Sequence, residues 1–445
     1  MVLSSSSSEA TSVQLPEHMV EAVLVKLPVR TLLRLKLLSR SLKALIENPR
    51  FVTAHINSSS HVHCRIALLT GNYSTDDTIL IGKMLTLSRQ HDVQDWIRRK
   101  EEQLPTFASD EDDDEGDMFH YVELLGSHNG LICLRLHYDH HRKNKLVLWN
   151  PATKQYRTLP PPPSTSPSLD YSSKFRRVVE LGFAYNHATN DYMVSQIASL
   201  VDDDWSHHLS YQLEIFSMKR WGWRTHTYRR ELASNIPKGS MSSQGLHNPV
   251  ALRGSIYQVV SLRVARAEAC CWFVLAMDFT DTLSSNDIVF RRIELPPLHE
   301  DGWVSSLVVY GEGDVQSLGL FSNIDAEEDE LPCFKCNVWV LSNDSVWTKS
   351  FTISIVCPAS VVEPVASWCD GKIIVRRTTE RKEEEEEEEE DGEIGSHATG
   401  NTLFIYDHHS ITKGGDPMSD ELVGISDFIS DVCAYVESLV SLHPS

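Results

Sequence analysis

The chain has 445 residues, 41% of them hydrophobic and 23% charged, with nine cysteines and a formal net charge of −21 at pH 7. That length buries one large core and a small appended module. No run reaches the roughly 18 apolar residues of a membrane span, and no basic cluster with interleaved aromatics marks a nucleic-acid groove. The cysteines are scattered and sit in apolar runs, as Cys133 in GLICL and Cys270 and Cys271 in AEACCWFVLA. This is the pattern of buried thiols rather than of a disulfide framework.

Residues 1–14 read as a disordered tail. Their serine run has neither the charged nor the apolar region of a secretion signal, so a cytoplasmic or nuclear location is expected. Residues 15–54 then form a helical module. Pro16 suits a first helical turn and Glu17 the positive end of a helix dipole; Val20, Val23, Leu24 and Leu27 follow at helical spacing until Pro28. Leu32, Leu33, Leu35, Leu37 and Leu38 come next, and Ser39 is placed to cap a helix carrying Leu42, Leu45 and Ile46, which Asn48-Pro49 ends. About 40 residues cannot enclose that much apolar surface alone, so the rest of the chain or a partner must cover some of it. Seven Lys or Arg against three Glu make the module basic on an acidic protein, which points to an acidic docking surface elsewhere.

The run LPEHMVEAVLVKLPVRTLLRLKLLSRSLKALIENPRF resembles an F-box of the plant form. Leu15-Pro16, Leu27-Pro28-Val29, Leu32-Leu33, Ser39-Arg40, Leu45-Ile46, Pro49 and Phe51 fall in register. Leu42 departs from it, standing where the family usually has Trp. The resemblance implies docking on an acidic Skp-type linker and, through it, a cullin. The residues it nominates are Leu15, Pro16, Val20, Leu24, Leu27, Pro28, Val29, Leu32, Leu33, Leu38, Ser39, Leu42, Leu45 and Ile46. The plainer alternative is a helical cap packed on the rest of the chain.

Residues 60–445 carry a long period. Apolar runs ending at a polar turn recur as LVLW-Asn150, LEIF-Ser217, VLAM-Asp278, VWVL-Ser342 and LFIY-Asp407, at spacings of 67, 61, 64 and 65 residues. Most are followed by an aromatic-rich strand, in TKQYRTLPP, RWGWRTHTY, IVFRRIELPP and SVWTKSFTI. Turn glycines Gly130, Gly254, Gly313 and Gly371 alternate with them, and the double gap between the first two predicts a turn at Asn190-Asp191. Two hairpins per period make four-stranded units, the pattern of a kelch-like β-propeller. Five units fit between residues 122 and 415. A sixth is expected to join HCRIALL and TILIGKMLTLS to the C-terminal VCAYVESLVSL, closing the ring and removing exposed edges. Blocks from GSHNGLICL through LWNPATKQYRTLPPP to AYVESLVSL resemble, in order, the plant F-box-associated interaction domain. The fold expected is therefore a small all-α F-box module followed by an all-β propeller of six four-stranded blades.

Two acidic tracts, 109–117 and 380–399, hold seventeen acidic groups in the runs Asp110–Asp117 and Glu383–Glu393. Like charges at that density repel, so both are expected to be solvated, disordered loop insertions. Cys333-x-x-Cys336 has the spacing of half a zinc site but no second pair, and is expected in a loop leading into a strand. The pairs His140-His141, His207-His208 and His408-His409 read as solvated polar residues, and Trp221, Trp223, Trp339 and Trp347 as blade core. No nucleotide-binding or hydrolase motif is present, so neither metal nor cofactor is expected. The function expected is a non-catalytic substrate receptor of a Skp–cullin–F-box ubiquitin ligase, its β domain binding a target protein that the sequence does not name. A non-ligase F-box scaffold and a propeller enzyme are the rivals.

Overall fold

The computed structural model of the chain describes residues 16–60, 65–73, 79–89, 97–105, 119–138, 144–163, 175–186, 189–201, 208–228, 239–242, 249–264, 270–278, 289–298, 303–311, 316–324, 333–342, 346–356, 360–367, 372–380, 399–407, 420–425 and 428–442. Both tracts therefore lie outside the described residues, apart from the strand ends Glu380 and Thr399. Leu15, Gly313, Gly371, His140-His141, His207 and His408-His409 also lie outside them.

Four helices open the chain. Helix α1 (Glu17–Leu24) follows Pro16 and α2 (Val29–Leu35) follows Pro28. Both prolines are extended, one residue earlier than the first-turn position expected of Pro16; proline's fixed φ suits that entry. Helix α3 (Arg40–Ile46) starts as expected, the Ser39 Oγ accepting the Leu42 N–H at 3.1 Å. Asn48-Pro49 ends α3 and also starts α4 (Pro49–Ser60), which the sequence reading did not foresee. From α4, Phe51 enters a core with Leu24, Val29, Leu32 and Ile46. His55 stacks on Phe51 and donates from Nε2 to the Leu27 carbonyl at 2.9 Å, tying α4 to the start of α2.

Every described strand beyond the helices falls in one of six antiparallel sheets. The first holds β1 (Arg65–Tyr73), β2 (Ile79–Arg89) and β3 (Ile97–Gln103). The second is β4 (Phe119–His128), β5 (Leu131–Tyr138), β6 (Lys145–Asn150) and β7 (Gln155–Thr158). The third is β8 (Phe175–Asn186), β9 (Asp191–Val201), β10 (His208–Ser217) and β11 (Gly222–Tyr228). In the fourth, β12 (Gly239–Ser242) and β13 (Val250–Leu252) both pair with β14 (Ser255–Val264), followed by β15 (Cys270–Asp278) and β16 (Val289–Glu294). The fifth is β17 (Trp303–Tyr310), β18 (Ser317–Ile324), β19 (Cys333–Ser342) and β20 (Val346–Val356). The sixth is β21 (Ser360–Ser367), β22 (Ile373–Glu380), β23 (Thr399–Tyr406) and β24 (Asp420–Ile425).

Five sheets are thus made of consecutive strands, while the first is completed by β25 (Phe428–Ala434), which pairs with β1 from Ile66↔Ala434 to Gly71↔Phe428. The inner strands touch in the order β25, β4, β8, β13, β17, β21 and back to β25, so the sheets form a closed ring. That closure pairs the inner edge which three strands from the front of the domain would leave open.

The period read in the sequence maps onto this ring. The five apolar runs are the third strands β6, β10, β15, β19 and β23, buried on both faces between neighbouring sheets. The turns Asn129-Gly130, Thr189-Asn190 and Arg253-Gly254 join first strands to second, and φ is positive at Asn129, Gly130, Asn190, Arg253 and Gly254, as tight hairpins demand. The aromatic-rich runs are the fourth strands, and two of their tryptophans reach the preceding sheet. Trp223 Nε1 donates to the Pro160 carbonyl at 2.7 Å, and Trp347 Nε1 to the Glu294 carbonyl at 2.8 Å. Each acceptor lies at the end of a preceding fourth strand, in TLPP or IELPP. Strand character in VCAYVESLVSL stops at Ala434, and Tyr435–Leu442 runs on without a ladder.

Candidate partner interface

Helix α1 presents Met19 and Val23, one turn apart, at 49% and 62% exposure; the turn between α2 and α3 presents Leu37 and Leu38 at 86% and 73%. Among the described residues only Val346 joins these four as a large exposed hydrophobic, so the outward apolar surface is concentrated in the helical module. Exposed apolar side chains of this kind are candidates for contact with another molecule. Arg30, Arg34, Arg40 and Lys43 are exposed on the same short segment. Lys36 is held 2.8 Å from Glu47, and its hydrogen bond is the main reason the Glu47 carboxyl lies below the ordinary range.

The residues nominated from sequence divide by burial. Leu24, Val29, Leu32 and Ile46 are inside the module's own core. Val20, Leu27, Leu33, Leu42 and Leu45 are partly buried against it, Ser39 is half-buried at its cap, and Pro16, Pro28 and Leu38 are exposed. The structure therefore also exposes Leu37, Met19 and Val23, which the nominated set omitted. The signal for the last two was available: Met19 and Val23 are spaced i, i+4 on α1, turned away from Leu24.

The module's inner side rests on the propeller. Leu439 completes the cluster of Leu24, Val29, Leu32, Ile46 and Phe51, and Ala152 from the β6–β7 turn packs against it. Part of the excess leucine surface is thus covered by the chain itself.

Cys333 and Cys336 both belong to β19, contrary to the loop expected. Cys336 is buried, which pushes its thiol up to about 12. Among the described residues no group of three His, Cys, Asp or Glu is arranged to hold a metal. Trp339 is buried with its Nε1 donating to Ser322 Oγ at 3.0 Å, and the Arg157 guanidinium covers the Trp221 ring at 3.2 Å, so these rings are engaged in packing. Glu123 on β4 accepts from His137 at 3.0 Å and Arg135 at 3.1 Å. Burial raises its carboxyl, but these two partners outweigh it and hold the group below the ordinary range.

A helical module with exposed apolar and basic residues, packed on a closed ring of four-stranded sheets, defines a two-part protein. Family comparison agrees on both parts: the F-box domain matches residues 13–53, and the F-box associated beta propeller domain matches residues 108–442. The chain belongs to this plant-type family of F-box proteins with an associated β-propeller. Relatives from Arabidopsis thaliana include an F-box/kelch-repeat protein, 24% identical over 268 residues, covering 60% of this chain and 63% of the relative. The F-box protein CPR1 is 26% identical over 213 residues, covering 47% and 44%. The matched stretch thus spans about half to two thirds of these relatives. Among solved structures, the propeller domain of the trilobed protease from Pyrococcus furiosus matches at 10% identity and TM-score 0.32, covering 77% of this chain and 78% of that one. An oligogalacturonate lyase from Vibrio parahaemolyticus matches at 9% and 0.36, covering 77% of each. Likeness this distant says nothing of activity.

Proposed function

We propose that this chain is the substrate receptor of a Skp–cullin–F-box ubiquitin ligase. The F-box docks on a Skp-type linker, which carries the cullin, and the propeller holds a target protein. The observation that carries the reading is the exposure of Met19, Val23, Leu37 and Leu38 beside Arg34 and Arg40 after the F-box core has been filled. An acidic linker with an apolar groove complements that face. The receptor itself makes and breaks no bonds. Holding a target near the charged enzyme raises the effective concentration of its lysines at the thioester. Rigid scaffolds present binding residues on loops, so the target is held by the propeller's connecting loops. Work in the cytoplasm or nucleus fits the free, buried thiols of Cys133 and Cys336.

The test is binding of the full chain to a purified Skp-type linker. Leu37→Asp/Leu38→Asp should weaken binding roughly 100-fold, the effect of losing an anchor of about 3 kcal/mol. Unchanged affinity would move the docking face elsewhere.

A further inference from the structure

We infer that Tyr435–Leu442 is a strap that completes the F-box core and fastens the F-box to the second sheet, with Asn150 as its fixing point. The inference builds on the receptor reading only for its consequence, which is that the state of the propeller controls how much F-box is competent to dock.

The polar residue that ends each third strand (or, for Asp407, follows it) shows what is special at Asn150. Ser217 donates to Asp191 Oδ2 at 2.5 Å, and Asp278 accepts from Ser255 at 2.5 Å and from Arg291 at 2.7 Å. Ser342 Oγ lies 3.4 Å from Thr348 Oγ1, and Asp407 pairs with Lys372 at 3.2 Å. Each of those partners belongs to the residue's own sheet. Asn150, fully buried, turns the same position outward. Its Nδ2 donates to the carbonyls of Ser438 at 3.2 Å and Val440 at 2.8 Å, while its Oδ1 accepts the N–H groups of Ala152 at 3.0 Å and Thr153 at 3.3 Å. Two donors and two acceptor sites are all that an amide has, and all four are used.

The strap runs through three cores, Tyr435 packing with Leu69, Met84 and Leu124 between the first and second sheets. Leu439 enters the F-box cluster, while Val440 and Leu442 pack with Leu125, Leu131 and Phe216 between the second and third sheets. Gly130 makes room for it: a Cβ there would lie 2.5 Å from the Val436 carbonyl oxygen. Arg157 Nη1 donates to the Leu442 carbonyl at 3.3 Å, fixing the far end. The segment that leaves the ring-closing strand β25 is therefore the segment that finishes the F-box, so propeller closure and F-box folding are linked through eight residues.

The experiment is hydrogen exchange by mass spectrometry on the full chain without linker, comparing wild type with Leu439→Ala and Asn150→Asp. The aspartate keeps the shape and the acceptor for Ala152 and Thr153 but cannot donate to the strap. Both variants should exchange at least tenfold faster in peptides covering residues 16–60, while peptides from the fourth to sixth sheets keep wild-type protection. Unchanged F-box exchange in both variants would overturn the strap, as would equal loss in all six sheets, which would make Asn150 a general stability residue. Because no linker is present, the result stands apart from the docking reading: a chain that binds no linker could still show the coupling.

Discussion

Two glycines at the same place in the period separate conformation from space. Gly130 and Gly254 have φ of +79° and +80° at equivalent hairpin turns, yet a Cβ on Gly254 meets nothing within 4 Å, whereas one on Gly130 strikes Ser438 and Val436. Gly254→Ala should cost about 1 kcal/mol, from backbone strain alone. Gly130→Ala should cost about 3 kcal/mol, because the strap must also shift. Denaturant midpoints of the two variants measure the difference; equal losses would mean that the strap is not seated on this turn. Glu123 makes a second prediction at this scale. Its folded carboxyl lies below the reference value of 4.5, so it stabilises the fold above that value, and the contribution is lost as pH falls through the folded pKa. Melting temperature measured below about pH 4.5 should fall more steeply for wild type than for Glu123→Gln.

At the scale of strands, Trp223 and Trp347 are interblade staples, each an indole N–H on the carbonyl of a preceding fourth strand. Replacement by Phe keeps an aromatic ring and removes the hydrogen bond, so each change should cost about 1 kcal/mol. The two lie in different sheets and share no partner, so the double variant should lose the sum. A double loss no larger than either single one would show that the sheets do not unfold as one cooperative ring. The third strands were legible because most of their residues are buried on both faces, which favours near-continuous apolar runs, broken by Glu214 in LEIF. The aromatic fourth strands and hairpin turns were legible because their chemistry repeats with the period. Helix α4 was missed because Asn48-Pro49 was read only as a stop, although proline at a first helical position is equally a start. The division of β12 from β13 left no periodic trace.

For the whole molecule, order along the chain and membership of the F-box propeller family could be read from Leu15-Pro16 through AYVESLVSL, since those motifs are local. What joins the two parts could not. Asn150 and Ser438 are 288 residues apart, and the sequence of VCAYVESLVSL reads as strand throughout, since nothing local reveals that its second half is held by a side chain instead of a ladder. Likewise Leu439 joins Leu24, Val29, Leu32, Ile46 and Phe51 in one core, a contact with no local signal, so which helical residues stay exposed, such as Leu37 and Leu38, emerged only in three dimensions.

The central claim is that the chain brings a target to a cullin. Its most direct test is co-expression of the full chain with a Skp-type linker and a cullin, followed by affinity capture of the chain and sizing of the eluate. One stable complex holding one copy of each is expected, with the cullin absent when the linker is omitted or when Leu37→Asp/Leu38→Asp is used. Well-folded chain eluting alone, or linker retained without cullin, would contradict it.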